Sequence, residues 1–478
     1  MPDPSPDRPP DWQPLPPPTI PWVPPSGAEP PASPSDRPPT TRLRWPRERW
    51  LLPVAGLAAA VLAIAFLPDL LRLFGGPPTP PPGSPSAAVA TATPDATPRS
   101  TPSASPSGSD AVAARIAEVL AQVPPIRGLQ PKKEVPLRLI DRATFQQQLA
   151  VELAKENPPE VLAATTRLWE RLGLLPPGSD LQKLSLELLG ASAIGVYFPD
   201  RDEMAVIDAA ARLRPLDRLT IAHEYTHALQ DQHFGLDELP VDDPAEGDRG
   251  LAQLAMVEGD ATQLMFEWAQ EHLTPLELLS IGVGALDPEQ QALLERMPPI
   301  LQRQLAFPYL EGQAFIADVQ ATGGWRAVDR LWAAPPLSTE QVLHPEKYRA
   351  GEKPVDVEVP AAVAALGGGW KEALQDTLGE VNIGVWLAQG QAAGAAPGAS
   401  EGWAGDRVAS YEGPNGSWGI SWRTAWDSPA DAAEFRTSAA TVLTQLRSQT
   451  RLIAGGREVT VLLASDAAVL GVLAGLED

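Results

Sequence analysis

The 478-residue chain sets 37 Lys or Arg against 60 Asp or Glu, a formal net charge of −23, and has 55 prolines and no cysteine. That excludes a disulfide framework, a thiol nucleophile and any Cys-ligated metal site, so with five histidines a metal centre has to be built from His and carboxylate. The acidic balance argues against nucleic acid as a partner, because no basic surface stands out to displace counterions from a phosphate backbone.

Seventeen prolines fall in the first forty residues, and the 368 residues from Ala111 to Asp478 hold only 25. Residues 1–49 read as a disordered Pro-rich tail of polyproline II character, able to present a ligand to a cytoplasmic partner. The run WLLPVAGLAAAVLAIAFL over 50–67 is uncharged and has the length of a transmembrane helix. Arg42, Arg44, Arg47 and Arg49 precede it, so the positive-inside rule sets the N-terminus in the cytoplasm. Residues 68–110, rich in Pro, Ser and Thr, read as a stalk. The expectation is a single-pass protein of the cell membrane with its folded part extracytoplasmic.

That folded part is expected to be α+β and mainly helical: a larger domain over 111–369 and a smaller α+β unit over 370–478. Asp110 opens a helix expected to stop before Pro124. Helical periodicity follows over Ala143–Lys155, over Pro159–Leu172 and from Leu181, and the apolar runs Ile194–Phe198 and Met204–Asp208 predict a hairpin. Further helices are expected over Leu216–Gln232, Gly250–Gln270, Glu289–Leu301, Gly312–Thr322 and Trp325–Ala333. In the smaller unit, WGISW alternates after a GPNG turn, Ser428 caps a helix to about Arg447, and Glu458–Leu463 reads as a strand.

Within Leu216–Gln232 lies His223-Glu224-Tyr225-Thr226-His227. Residues four apart share a helix face, so both imidazoles can reach one ion while Glu224 stands beside them. Two neutral His ligands, an open coordination position and an adjacent carboxylate are what zinc needs to lower the pKa of a bound water and pass its proton to a base. Two residues compete as third ligand. Glu258 occupies the apolar stripe Leu251, Leu254, Ala261, Met265, Trp268, where an ionised carboxylate is costly unless a cation meets it. His233 fits the spacing HExxHxxGxxH, but Gln230 stands where that motif has Gly to end the helix. An oxyanion donor is also needed; His344 and Tyr348 in STEQVLHPEKY and Tyr309 in FPYLEGQ are the candidates.

Together HEYTHALQDQHF, VEGDAT, FPYLEGQAFI, STEQVLHPEKY and GWAGDR make the chain resemble a group of bacterial HExxH proteins, themselves similar to the gluzincin branch of the metallopeptidases, the thermolysin-like superfamily. The resemblance implies a zincin-like core with His223, His227 and Glu258 as Zn2+ ligands, Glu224 as general base and a peptide or protein substrate. Thermolysin-type sites place the third-ligand Glu roughly twenty residues after the second His and an Asp four residues beyond it; here the gap from His227 is 31 and the fourth residue on is Thr262, so Asp260 is read either as supporting the ligands from behind or as exposed to solvent. His344 is taken as the catalytic oxyanion donor. The alternative is a non-catalytic envelope protein keeping zinc and the zincin fold as a binding or scaffolding module, and an intact Glu224 favours the enzyme.

Overall fold

A computed structural model of the chain describes residues 108–156, 158–192, 195–207, 213–236, 239, 245–284, 288–390 and 397–477. The Pro-rich tail, the apolar run over 50–67 and nearly all of the stalk lie outside them. Among the described residues no helix is long and apolar enough to cross a membrane. The expectation of a single-pass membrane anchor with an extracytoplasmic folded part is corrected to that extent: the described residues do not support it, and the run over 50–67 that carried it lies outside them. The two longest helices are ruled out by charge: one carries Asp248, Arg249, Glu258, Asp260, Glu267 and Glu271, the other Arg303, Glu311 and Asp318.

The described residues form an α+β fold. Helix α1 (Gly108–Arg127) runs through Pro124 and Pro125 instead of stopping before them. Its last residue explains why: the fully buried Arg127 guanidinium donates to Asp260 at 2.7 and 2.8 Å and to Asp329 at 2.7 Å. These tertiary contacts hold a turn that proline alone would disfavour. Strand β1 (Leu137–Ile140), helices α2 (Arg142–Glu156), α3 (Pro159–Arg171) and α4 (Leu181–Ser192), and strands β2 (Gly195–Phe198) and β3 (Glu203–Ile207) follow. The expected hairpin is present as β2 and β3, and β1 joins β3 in parallel, giving the order β1-β3-β2. β1 has no sequence signature, because only Ile140 of its four residues is buried.

Helix α5 (Pro215–Phe234) begins with the Arg214 N–H donating to Asp217 Oδ2 at 2.9 Å, and ends at Gly235, whose φ of +74° stops the helix. It packs on β2 and β3 on one side and on α6 (Gly247–His272) on the other. Helices α7 (Pro275–Gly284), α8 (Pro288–Arg296) and α9 (Pro299–Gly323) follow, so the helix expected over Glu289–Leu301 is divided at Pro298-Pro299. α9 crosses α6 at backbone contact. A Cβ on Gly259 would lie 2.3 Å from the Gly312 carbonyl carbon, and one on Gly312 would lie 2.2 Å from the Ala255 carbonyl oxygen. The glycines of VEGDAT and YLEGQ are therefore the crossing point, and only a missing side chain permits it. Gly312→Ala should cost about 1–3 kcal/mol by overpacking. Urea unfolding of the parent and variant measures this, and an unchanged midpoint would mean that the helices do not cross so closely.

After the short helices α10 (Trp325–Leu331), α11 (Thr339–Leu343), α12 (Pro345–Ala350) and α13 (Val363–Leu366), the C-terminal region comprises β4 (Lys371–Asp376), α14 (Gly379–Ala388), β5 (Trp403–Glu412), β6 (Trp418–Trp426), α15 (Pro429–Leu443), β7 (Gln449–Gly455), β8 (Glu458–Ala464) and α16 (Ala467–Ala474). The strands form an antiparallel sheet in the order β4-β5-β6-β8-β7. Both faces are covered: Trp422 and Trp426 pack on Trp386 and Phe435 of α14 and α15, while Tyr411, Leu462 and Ala464 pack with Val469 and Leu473 of α16. This is why β6 buries successive residues rather than alternate ones. The region shares its core with the helices before it, Trp386 Nε1 donating to the Leu172 carbonyl at 3.0 Å. Asp376 accepts from the Gly247 N–H at 2.9 Å, capping the start of α6 from the C-terminal region.

Candidate metal centre

The HExxH spacing sets His223 and His227 one turn apart on the side of α5 that meets α6, and α6 answers with Glu258. Three ligand atoms converge: His223 Nε2 and His227 Nε2 are 3.1 Å apart, and Glu258 Oε2 lies 3.1 Å from the first and 3.4 Å from the second. All three side chains are buried, at 1, 8 and 3% exposure. Tetrahedral coordination at ordinary zinc bond lengths puts ligand atoms about 3.3 Å from one another, so the spacing fits a single ion. The chemistry fits too. Two ring nitrogens facing each other at this distance cannot both donate, and a cation between them satisfies both lone pairs and the carboxylate at once.

Without a cation, the site is a buried proton trap. Burial alone would lower the pKa of His227, but Glu258 and Glu224 outweigh it and hold it at about 9. Burial would raise that of Glu258, but His227 and His223 outweigh it and hold it at about 2.

Glu224 is buried beside the cluster, its Oε2 accepting from the Tyr197 N–H of β2 at 2.8 Å. Burial pushes its pKa up, with Glu258 adding to the shift, while His227, His223 and the Tyr197 N–H oppose it. Tyr309 of α9 brings its ring to 6.1 Å from that of His223, and its buried hydroxyl interacts with Glu258 but meets full hydrogen-bonding geometry with none of the described residues. Burial, then the charges of Glu258 and Glu224, push its pKa well above the ordinary phenol value. A buried hydroxyl and a second buried carboxyl group thus lie beside the three convergent atoms.

Other sequence candidates lie elsewhere. His233 Nε2 is 2.7 Å from the Gln130 carbonyl oxygen, because α5 continues through Gln230 to Phe234 and points that ring away from the cluster. Asp260 does not support the ligands: both its oxygens are taken by Arg127. Two residues along a helix from Glu258, it faces nearly the opposite way. His344 is likewise corrected. It sits between α11 and α12 with Nε2 3.1 Å from Glu380 Oε1, and none of its contacts among the described residues reaches the cluster. Tyr348 donates to the Ala334 carbonyl at 2.7 Å, which leaves Tyr309 as the candidate donor. Sequence reasoning missed two groups at the site, the Tyr197 N–H and the Gln230 side chain. Gln230 Oε1 lies 2.8 Å from His227 Nδ1, and its Nε2 donates to the Val257 carbonyl at 3.1 Å. A polar residue three positions after a ligand, on the same helix face, was the signal available for it.

A family described as a domain of unknown function (DUF8575) matches residues 368–472, which contain the five-stranded sheet and none of the cluster. No curated protein matches the chain. One solved structure, from Chloroflexus aurantiacus and described as "a putative hydrolase with a novel fold", is similar over 51% of this chain and 89% of that one, at 16% identity and a TM-score of 0.34.

Proposed function

We propose that the chain is a zinc metallohydrolase, and within that class a peptidase on a zincin-like core. The observation that carries this reading is the convergence of two imidazole nitrogens and one carboxylate oxygen within 3.4 Å, with a second carboxylate and a phenol buried beside them. His223, His227 and Glu258 would hold the ion. Zinc bound there supplies a Lewis acid that polarises a water or a carbonyl oxygen.

The chain's own groups supply the rest. Glu224, its carboxylate held by the Tyr197 N–H, accepts the proton of the attacking water and returns it to the leaving amine. Tyr309 keeps its proton and donates a hydrogen bond to the oxygen on which negative charge develops. Burial of the site keeps bulk water from competing for these groups.

The test is metal analysis of the purified full chain followed by peptide-library hydrolysis with and without a chelator. About one zinc per chain and chelator-sensitive cleavage are expected. Bound zinc without cleavage would favour the non-catalytic scaffold, and absence of zinc would overturn both.

A pH dependence follows from His227. In the metal-free protein its proton is held until about pH 9, and zinc has to displace it. Apparent zinc affinity should therefore rise about tenfold per pH unit up to about pH 9 and flatten above it. The metal-free fold has the opposite trend. His227 stabilises it fully below its ordinary 6.5, and this contribution is lost as pH rises through about 9. Glu258 contributes above its ordinary 4.5 and loses its contribution as pH falls through about 2. Competition with a chelator of known proton affinity across this range measures the first trend, and a flat profile would mean that no proton is displaced.

A further inference from the structure

Gln230 stands where a metzincin-type motif has the glycine that ends the helix, but here it is fully buried and bonded at both ends of its amide. The Val257 carbonyl can only accept, so the amide group facing it is the NH2. The Gln230 oxygen is therefore turned toward His227, and since that oxygen also only accepts, His227 Nδ1 has to carry the proton. A neutral His227 then has its Nε2 lone pair directed at His223 Nε2 and Glu258 Oε2. The other imidazole has no such support: among the described residues His223 Nδ1 is buried without a partner. Val257 also adjoins Glu258, so one side chain ties α5 to α6 next to the third ligand.

We infer that Gln230 is the positioning residue of the metal centre, fixing the tautomer and ring orientation of His227 and, through Val257, the seat of Glu258. The inference rests on the metal reading above. Loss of such a support from behind a histidine ligand costs roughly 10- to 100-fold in metal affinity.

Three full-length proteins test it: the parent, Gln230→Met, which keeps the volume and loses the acceptor, and Gln230→Glu, which keeps an acceptor and loses the amide donor. Each is titrated with zinc against a chromophoric chelator, its metal-free form is melted, and the zinc-loaded form is scanned by proton NMR for the downfield His227 Nδ1–H resonance. The Met variant should bind zinc roughly 10- to 100-fold more weakly and lose the resonance, and the Glu variant should recover most of the affinity and keep it. Affinities that fall equally in both variants and follow the melting temperatures would reduce Gln230 to packing and overturn the inference. So would a Met variant that binds like the parent. A parent that binds no zinc would instead overturn the metal reading itself, and this inference with it.

Discussion

In Glu224→Gln, turnover of any peptide the parent cleaves is expected to fall about a thousandfold, while zinc stays near one per chain. The substitution keeps the shape and leaves an amide oxygen for the Tyr197 N–H to donate to, but that amide cannot take a proton from water. Zinc should be retained because His223, His227 and Glu258 are untouched. Equal activity in the two proteins would mean that the chemistry lies elsewhere.

The legible parts of this site are those in which chemistry and helical period are read from neighbouring residues. His223, Glu224 and His227 follow from five consecutive positions, and Glu258 announced itself as a charge on an apolar stripe, which only a buried partner explains; it has two, at 3.1 and 3.4 Å. Gln230 was in view as the residue that denies the helix its glycine stop, but that its amide turns back to His227 is a consequence of α5 continuing, which spacing alone does not give. Asp260 and His344 were misassigned for a common reason. Each is bound by a residue distant in sequence, Arg127 and Glu380, and no local pattern reports such a pairing. Tyr309 stood among three donor candidates, and the choice fell to the Gly259 and Gly312 crossing, whose two halves lie in separate motifs. The fold divides similarly. Periodicity found the long helices and the hairpin, but β1 buries one residue in four and gave no signal, and the helix expected over Glu289–Leu301 missed the break that Pro298-Pro299 imposes.

Glu258→Ala is expected to lower zinc affinity by more than about a hundredfold, exceeding the loss typical when a residue behind a ligand is removed. Its carboxylate offers one of the three atoms that the described residues bring together for an ion, and it also supplies the charge that organises the two imidazoles in the metal-free protein. Breaking a buried pair by removing one partner costs about 3–5 kcal/mol, so the alanine protein could lose metal merely by unfolding. Glu258→Gln separates the two effects, because it keeps the volume and a neutral acceptor; it should stay folded yet still bind zinc far more weakly than the parent. His233→Ala is the counterpart. Its ring is bonded to the Gln130 carbonyl, outside the cluster, so zinc content after dialysis of the full chain against a weak chelator should match the parent's. The reverse pattern, zinc kept in the Glu258 variants and lost in His233→Ala, would require α5 to end near Gln230 and swing His233 inward, and Glu258 would then be only the buried charge partner of His223 and His227.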